Sequence, residues 1–568
     1  MPMLIYSKRI SLIFCFLFFS SAVCLLADAP DPVRSKNGMV VSASNLASKV
    51  GLQILKKGGN AVDAAVAVGF ALAVTYPSAG NIGGGGFMVI HLNDGRNTAI
   101  DYREKAPLQA FKDMYLDENG EFLSKLSTEG ATSSGVPGSV AGLIFALEHY
   151  GTMSLAEVIQ PAINLAEDGF PLDYSLANSF KSVLNYMEKY PSSFEKFTNN
   201  GRLYNEGEIF KQKDLAETLK LIKKKGRDGF YKGKVADLII NQVQKLGGYF
   251  THEDLEKYGV VERKPIEGSY RGYEIISMSP SSSGGLVLVE MLNILENFSF
   301  SKDGWGDSRY IHALTETMKY AYADRSVHIG DSDFYDVPIN WLISKEYAKE
   351  IFNKINDQAK PSDEISAGVP APKESEQTTH YSVYDKFGNA VSTTTTLNDS
   401  YGNKIVVEGA GFLLNNEMDD FSSKPGAPNQ FGLIGGEANS IQPEKRMLSA
   451  MTPTIVLKDG KPFLLIGSPG GSTIITVVLQ VILNCIDFKM DIQSAINQPR
   501  FHHQWLPDQI DYEEYGMTLD VKENLIKRGQ KIGKERSLGR AEGILIDREN
   551  NIIFGATDPR GYGSAEGY

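Results

Sequence analysis

The chain has 568 residues, of which 42% are hydrophobic and 22% charged, and 57 basic against 69 acidic side chains give a net charge of −12. These fractions fit a globular protein, and they exclude a disordered chain and a protein with many membrane spans. The acidic balance also argues weakly against nucleic acid as the natural partner.

The N-terminal segment has the plan of a secretory signal peptide. Lys8 and Arg9 precede an almost unbroken apolar run over residues 10–19. The small residues Ser20, Ser21 and Ala22 follow it, and Ala27 and Ala29 are small residues two apart before Pro30. The run is short for a membrane span of about 20 residues. We therefore predict that residues 1–29 are removed, that no stable membrane anchor remains, and that the protein is periplasmic or secreted. Cys485 is the one cysteine beyond this segment, so no internal disulfide can form.

Helical and strand patterns alternate along the rest of the chain. Asn45 and Asn60 are candidate caps of two successive helices, the second an apolar, buried helix over 61–74. Further helical patterns occupy much of 140–225, 285–330 and 340–357, and strand patterns cover 87–90, 270–278, 381–397, 452–457 and 463–467. A Pro-, Ser- and Glu-rich stretch over 361–377 predicts an exposed loop. A β-hairpin pattern follows it directly.

The common catalytic motifs are missing from the sequence. It contains no G-x-S-x-G and no H-E-x-x-H motif, and the adjacent pair His502 and His503 would point to opposite faces of a strand, which makes a poor metal site. The stretch LLIGSPGGSTI (464–474) has the order strand, glycine loop, helix, but it lacks the lysine of a phosphate-binding loop. We therefore predict no metal and no cofactor.

That glycine loop has two interpretations. Gly470 and Gly471 stand where a helix begins, and helix N-termini present free backbone N–H groups and a partial positive charge. Two adjacent N–H groups could hold a developing oxyanion. A tight strand-to-helix turn that needs glycine for its backbone angles also explains the loop, and these residues taken alone favour that interpretation.

Several stretches, in the right order over nearly the whole chain, resemble the gamma-glutamyltranspeptidase family. They include DYREKAP (101–107), GNIGGGGFM (80–88), the stretch 281–285, TTHYSVYDKFGNAVS (378–392), LLNNEMDDFSSKPGAPNQFG (413–432), MTPTIVLKDGKPFLLIGSPGGSTI (451–474), PRFHHQW (499–505) and GATDPRG (555–561). The resemblance implies an α+β fold, the four-layer αββα sandwich of the N-terminal nucleophile hydrolases. It also implies one compact unit made of two subunits, 30–377 and 378–568, produced by self-cleavage.

The resemblance implies that Thr378 is the nucleophile of both self-cleavage and catalysis. A threonine hydroxyl needs a base, and cleavage of the Gln377–Thr378 bond would supply an α-amine with a pKa of about 7.7–8 on the same residue. Thr396 resembles the threonine that orients this nucleophile, and Gly470 and Gly471 resemble the oxyanion donors.

The implied substrate is glutathione or another γ-glutamyl amide, with water, an amino acid or a dipeptide as acceptor. Arg103 and Ser449 resemble residues that bind the α-carboxylate, and arginine suits this role because it can bind a carboxylate bidentately. Three further residues resemble the groups that receive the α-ammonium: Asn398, Glu417 and Asp420.

One departure from the family pattern concerns the acyl donor. The family usually has two adjacent serines at the carboxylate, whereas this chain has Ser449 followed by Ala450. Phe431, in the stretch Pro425 to Ala438 that resembles the family's lid, also stands where tyrosine is common. Two alternatives to a γ-glutamyl enzyme therefore stay open: an acylase for another amide, such as a glutaryl amide, and an uncleaved peptide-binding protein.

Overall fold

The computed structural model describes residues 30–366, 378–424 and 435–568. The predicted signal peptide 1–29, residue Gln377 and most of the predicted lid, including Phe431, lie outside the described residues. Residues Pro32–Tyr568 form one compact unit, as predicted.

Two seven-stranded sheets, antiparallel throughout, form the centre of this unit. In spatial order, the first sheet consists of Val33–Ser35, Ile552–Thr557, Glu542–Asp547, Lys461–Gly467, Thr454–Lys458, Tyr273–Ser277 and Ile266–Tyr270. The second consists of Ser564–Gly567, Met39–Ser42, Thr379–Tyr384, Ala390–Thr396, Gly85–His91, Asn97–Asp101 and Val261–Arg263. Smaller sheets are formed by Phe501–His502, Ile510–Tyr512 and Ile532–Glu535, by Phe170–Pro171 and Ile209–Phe210, and by Thr198–Asn199 and Arg202–Leu203.

The two sheets pack face to face, and helices cover both outer faces. Alternation along one strand shows the layering, because Val40 packs in the outer helical core while Met39 and Val41 pack in the core shared with the first sheet. The resulting order is helix, sheet, sheet, helix, which confirms the predicted αββα sandwich.

The helices divide between the two outer layers and their surroundings. Over the second sheet and beyond it lie Asn45–Lys56, Ala61–Thr75, Ser139–Tyr150, Leu155–Asp168, Tyr174–Met187, Pro191–Phe197, Lys213–Lys225, Asp228–Tyr231, Lys234–Lys245 and His252–Lys257. Over the first sheet and beyond it lie Gly284–Leu295, Ser308–His328, Ile339–Leu342, Lys345–Phe352, Thr473–Ile486, Ile492–Asn497 and Leu519–Lys527. Short helical segments are Ser124–Thr128, Ala131–Ser133, Lys302–Gly304, Ser362–Glu364, Glu417–Asp420 and Glu437–Asn439.

The first two helices test the predicted caps. Asn60 caps Ala61–Thr75 as predicted, since its Oδ1 accepts the N–H groups of Val62 and Asp63, and every residue of that helix is buried. The prediction for Asn45 is wrong: Ser44 holds the cap position, and the Asn45 amide instead donates to Ser564 Oγ and Glu566 Oε1 of the edge strand.

The structure also shows how far the loop over 361–377 and Cys485 are exposed to solvent. The described residues 361–366 of the predicted exposed loop are mostly exposed, although Ser362 and Ile365 are buried. Cys485 is a free, buried cysteine, as its apolar surroundings predicted. Within the described ranges, no helix combines the length and the apolar character needed to cross a membrane.

Candidate active site

The hairpin after the 367–377 gap brings Thr378 next to Thr396. Thr379–Tyr384 pairs antiparallel with Ala390–Thr396, and Thr379 lies opposite Thr395. Thr378 precedes the first strand and Thr396 ends the second, so the register places the two residues at the same end of neighbouring strands. Both are buried, and both line one pocket at this end of the sandwich.

The pocket contains most of the predicted site residues. Its wall is formed by Arg103, Arg325, Thr378, Thr396, Asn398, Glu417, Asp420, Phe421, Ser422, Gly435, Asn439, Leu448, Ser449, Ala450, Met451, Gly471 and Ile474. Of the residues predicted from the sequence, only Gly470 lies outside this wall, directly beside Gly471.

Arg103 is the centre of a buried cluster of charges. It follows the strand Asn97–Asp101, and its side chain is 1% exposed. Its Nη1 lies 2.6 Å from Glu417 Oε2 and 3.4 Å from Glu104 Oε2, and its Nη2 donates to Asp420 Oδ2. Glu417 and Asp420 reach the same guanidinium because they lie on one turn of 3₁₀-helix. The acidic groups therefore contact the arginine directly.

Burial controls the protonation of this cluster. Burial raises the pKa of Glu417 well above its usual value, and Arg103 opposes that change. The same balance raises the pKa of Glu104 to about 7 and raises that of Asp420. Burial would lower the pKa of Arg103, but its carboxylate neighbours outweigh burial and raise it, so the guanidinium stays charged.

Asn398 connects the nucleophile hairpin to the acidic turn. Its backbone has a φ of +73°, and its N–H donates to Thr396 Oγ1 at 2.7 Å. Its side-chain amide donates to the Asn416 carbonyl at 3.0 Å. Asparagine tolerates this left-handed conformation better than most residues, and the turn holds the Thr396 hydroxyl in place.

Ser449 and Ala450 form the opposite wall. Ser449 Oγ accepts the Met451 N–H at 3.2 Å, and the Ser449 carbonyl accepts the Ser283 N–H at 2.8 Å and its hydroxyl at 2.7 Å. Ser449 thus has a fixed backbone, and its hydroxyl donates no hydrogen bond to another described residue, whereas Ala450 presents a methyl group to the pocket.

The glycine loop lies between the strand Lys461–Gly467 and the helix Thr473–Ile486. Gly470 has a φ of +138° and Gly471 a φ of +53°, values that favour glycine. Among the described residues, neither N–H donates a hydrogen bond within the protein. The loop is a tight turn, as one of the two interpretations predicted, and it brings Gly471 to the pocket wall; the oxyanion role of the two N–H groups stays a prediction.

Arg325 is a residue of the pocket wall that was not predicted from the sequence. This residue lies in the buried helix Ser308–His328 and lines the pocket, and its Nε donates to Ser283 Oγ at 2.8 Å. Ser283 in turn donates to the Ser449 carbonyl. A single arginine in a helical pattern with many polar residues gives no signal that would separate it from a surface residue.

The αββα fold with a threonine at the head of a central hairpin defines an N-terminal nucleophile hydrolase. The family model described as gamma-glutamyltranspeptidase matches residues 47–568. The glutathione hydrolase proenzyme of Escherichia coli (strain K12) is 51% identical over 535 residues, covering 94% of this chain and 92% of that protein. The chain therefore belongs to the gamma-glutamyltranspeptidase family of enzymes.

Solved structures agree with this assignment. The cephalosporin acylase from Bacillus halodurans superposes with a TM-score of 0.85 at 29% identity, covering 96% of this chain and 98% of that one. A chain of the Helicobacter pylori gamma-glutamyltranspeptidase matches with a TM-score of 0.57 at 50% identity, covering 60% of this chain and 96% of that one. The predicted family and fold class are thus confirmed.

Proposed function

We propose that this protein is an exported γ-glutamyltransferase and glutathione hydrolase that uses Thr378 as its nucleophile. The observation that carries the proposal is the presence, in one pocket, of Thr378 and a buried charge cluster built from Arg103, Glu417 and Asp420. A γ-glutamyl group offers a carbonyl to a nucleophile at one end and a carboxylate with an ammonium at the other. The pocket has complementary groups for both ends.

In the proposed mechanism, the precursor first cleaves itself. The precursor loses residues 1–29 on export, and the bond between Gln377 and Thr378 is then cut with the net addition of water. This yields a large subunit, 30–377, and a small subunit, 378–568, which stay together. The new α-amine of Thr378 has an ordinary pKa of about 7.7–8 and can act as the base near neutral pH.

Turnover then follows two acyl transfers. The Thr378 hydroxyl attacks the γ-carbonyl while the α-amine takes its proton, and the N–H groups of Gly470 and Gly471 stabilise the oxyanion. The C–N bond breaks, the leaving amine receives the proton, and a γ-glutamyl ester on Thr378 remains. Water or the amine of an amino acid or dipeptide then attacks this ester and releases Thr378. Thr396, fixed by the Asn398 N–H, orients the nucleophile.

The α end of the donor would replace contacts within the charge cluster. Its carboxylate would bind Arg103 and the Ser449 hydroxyl, and its ammonium would bind Asn398, Glu417 and Asp420. Arg103 already pairs with Glu417 and Asp420. The carboxylate and the ammonium of a zwitterion can therefore replace these contacts without leaving a charge unpaired.

Intact mass under denaturing conditions tests the proposal, with wild type compared to Thr378→Ala. We expect two fragments from wild type, a small one beginning at Thr378, and one chain from the variant. γ-Glutamyl p-nitroanilide should be cleaved by the wild type and not by the variant. A single wild-type chain after long incubation would refute the enzyme mechanism and favour the uncleaved peptide-binding protein.

A related acylase is the second candidate, and two observations favour it. Ala450 removes one hydroxyl from the carboxylate wall, and the Bacillus halodurans protein of similar fold is called a cephalosporin acylase. The kcat/KM for glutaryl and γ-glutamyl p-nitroanilides separates the two candidates. A preference for the glutaryl amide would mean that the ammonium contacts are not used.

A further inference from the structure

His502 and Gln504 contact the residue that follows the glycine pair, and neither of the two lines the pocket. Ser472, the residue after Gly471, donates its hydroxyl to Gln504 Oε1 at 2.8 Å. Gln504 Oε1 also lies 2.9 Å from His502 Nε2. All three side chains are buried, so this contact is an internal support and not a surface feature.

The hydrogen bonds of this cluster define the state of His502. A carbonyl oxygen only accepts, so His502 Nε2 carries the proton and donates to Gln504. Its Nδ1 lies 2.9 Å from the Thr476 hydroxyl oxygen, which also donates to the Thr473 carbonyl at 3.0 Å. Burial lowers the pKa of His502 to about 3, so the ring is neutral at the pH at which the enzyme works, and a fixed tautomer holds the amide.

A second support comes from the large subunit. Tyr322, in the helix Ser308–His328, donates its hydroxyl to the Ser472 carbonyl. The Tyr322 ring packs edge-on against His502, with 5.7 Å between the ring centroids. Gln504 thus holds the Ser472 side chain, and Tyr322, which is distant in sequence, holds the Ser472 carbonyl.

The loop has little freedom inside these supports. The Thr473 N–H and hydroxyl both donate to the Gly470 carbonyl, at 2.9 and 2.7 Å. A Cβ at Gly470 would lie 2.4 Å from the Thr473 hydroxyl. Fixing Ser472 therefore restricts the peptide planes on either side of Gly471 and with them the direction of the Gly471 N–H, while the two Thr473 contacts restrain Gly470 through its carbonyl.

We propose that His502, Gln504 and Tyr322 are positioning residues that hold Ser472 and thereby aim the Gly470–Gly471 N–H groups at the reacting carbonyl. This inference rests on the proposed function, because it assigns the loop to the oxyanion. Oxyanion donors act only when they are oriented in advance. Loss of the support should therefore reduce transition-state binding and leave ground-state binding of the donor intact.

Gln504→Met and Ser472→Ala test the inference, with Asn484→Ala as the matched control. Asn484 is a buried residue of the helix Thr473–Ile486, which begins directly after Ser472. Its side-chain amide donates to the Ala495 carbonyl and accepts from the Trp305 ring N–H, and it does not contact Ser472. Each purified variant is first checked for complete self-cleavage by mass. kcat and KM are then measured with γ-glutamyl p-nitroanilide, and the inhibition constant is measured for a boronic acid that carries the glutamate α end and forms a tetrahedral adduct.

We expect Gln504→Met and Ser472→Ala to lower kcat by about tenfold through misplaced donors, with KM within twofold of wild type. The boronic acid should bind correspondingly more weakly, and Gln504→Glu, which keeps an acceptor oxygen, should recover most of kcat. Asn484→Ala should lower Tm and leave kcat unchanged. Folded, cleaved Gln504→Met and Ser472→Ala with wild-type kcat and wild-type boronate affinity would overturn this inference alone. A wild type without γ-glutamyl turnover would overturn the proposed function instead.

Discussion

A second hydroxyl beside Ser449 should strengthen binding of the acyl donor. Ala450 lines the pocket together with Ser449 and Arg103, and its side chain is 7% exposed. Ser449 already accepts a backbone N–H, so its proton can be donated to a carboxylate. The substitution Ala450→Ser adds a single oxygen atom and places a second hydroxyl beside Ser449 in the pocket wall.

The size of the effect follows from one added hydrogen bond to a charged group. Such a bond contributes about 1.5–3 kcal/mol, and the lower value corresponds to a factor of about ten in affinity. We therefore expect KM for γ-glutamyl p-nitroanilide to fall by about tenfold. kcat should stay constant, because the contact is at the α-carboxylate and is equal in the ground state and the transition state.

The assay compares γ-glutamyl, glutaryl and butanoyl p-nitroanilides. The first two share the carboxylate and should both gain, whereas the butanoyl amide has none and should not. Ala146→Ser, a buried alanine of the helix Ser139–Tyr150 that lies outside the pocket wall, is the control. The double change Ser449→Ala with Ala450→Ser reports whether the position of the hydroxyl matters. An unchanged KM, or an equal gain for the butanoyl amide, would refute the reasoning.

Two further predictions concern buried carboxyl groups. Asp420→Asn should raise KM for γ-glutamyl p-nitroanilide by about tenfold or more, because the ammonium loses a charged acceptor. The KM for the glutaryl amide, which has no ammonium, should change little. An equal rise in KM for both amides would contradict a role of Asp420 in binding the ammonium. Glu290 is fully buried, and burial, together with Asp324, raises its pKa well above the usual value. Folding therefore retains a proton that the unfolded chain releases above about pH 4.3, so this group costs stability as pH rises, by up to about 1.4 kcal/mol per pH unit. The Tm of Glu290→Gln should fall less than that of wild type between pH 5 and 8, and parallel Tm curves would show that the folded protein does not retain the Glu290 proton.

Short sequence patterns correctly predicted those helices and strands whose burial follows from their own apolar residues and turn or cap residues. The hairpin over 378–397 follows from two strand-forming runs on either side of a turn, and Ala61–Thr75 follows from an apolar run after a capping asparagine. The three C-terminal strands were not predicted. Ser564–Gly567 is a half-exposed edge strand without apolar alternation, and its place is determined by pairing with Met39–Ser42 from the other end of the chain.

The site was predictable only through family resemblance. Arg103 by itself has the pattern of a surface ion pair, and nothing local shows that it contacts residues more than 300 positions away, Glu417 and Asp420. Arg325 was missed for the same reason. Its helix is buried on nearly all sides although it carries many polar residues, so hydrophobic periodicity misjudges its environment.

The charges around the pocket favour a zwitterionic acyl group over an anionic one. Arg103 and Arg325 stand against three carboxyl groups, Glu104, Glu417 and Asp420, and burial raises the pKa of Glu104 to about 7. A γ-glutamyl donor brings no net charge at its α end, so its binding need not change the protonation of this cluster. A glutaryl donor adds one negative charge, and its binding should therefore be coupled to the uptake of a proton. We expect KM for the glutaryl amide to rise between pH 6 and 8, by up to about tenfold per pH unit for one coupled proton, whereas KM for the γ-glutamyl amide should stay nearly constant over that range. Equal pH dependence for the two amides would mean that the cluster does not distinguish the charge of the acyl group.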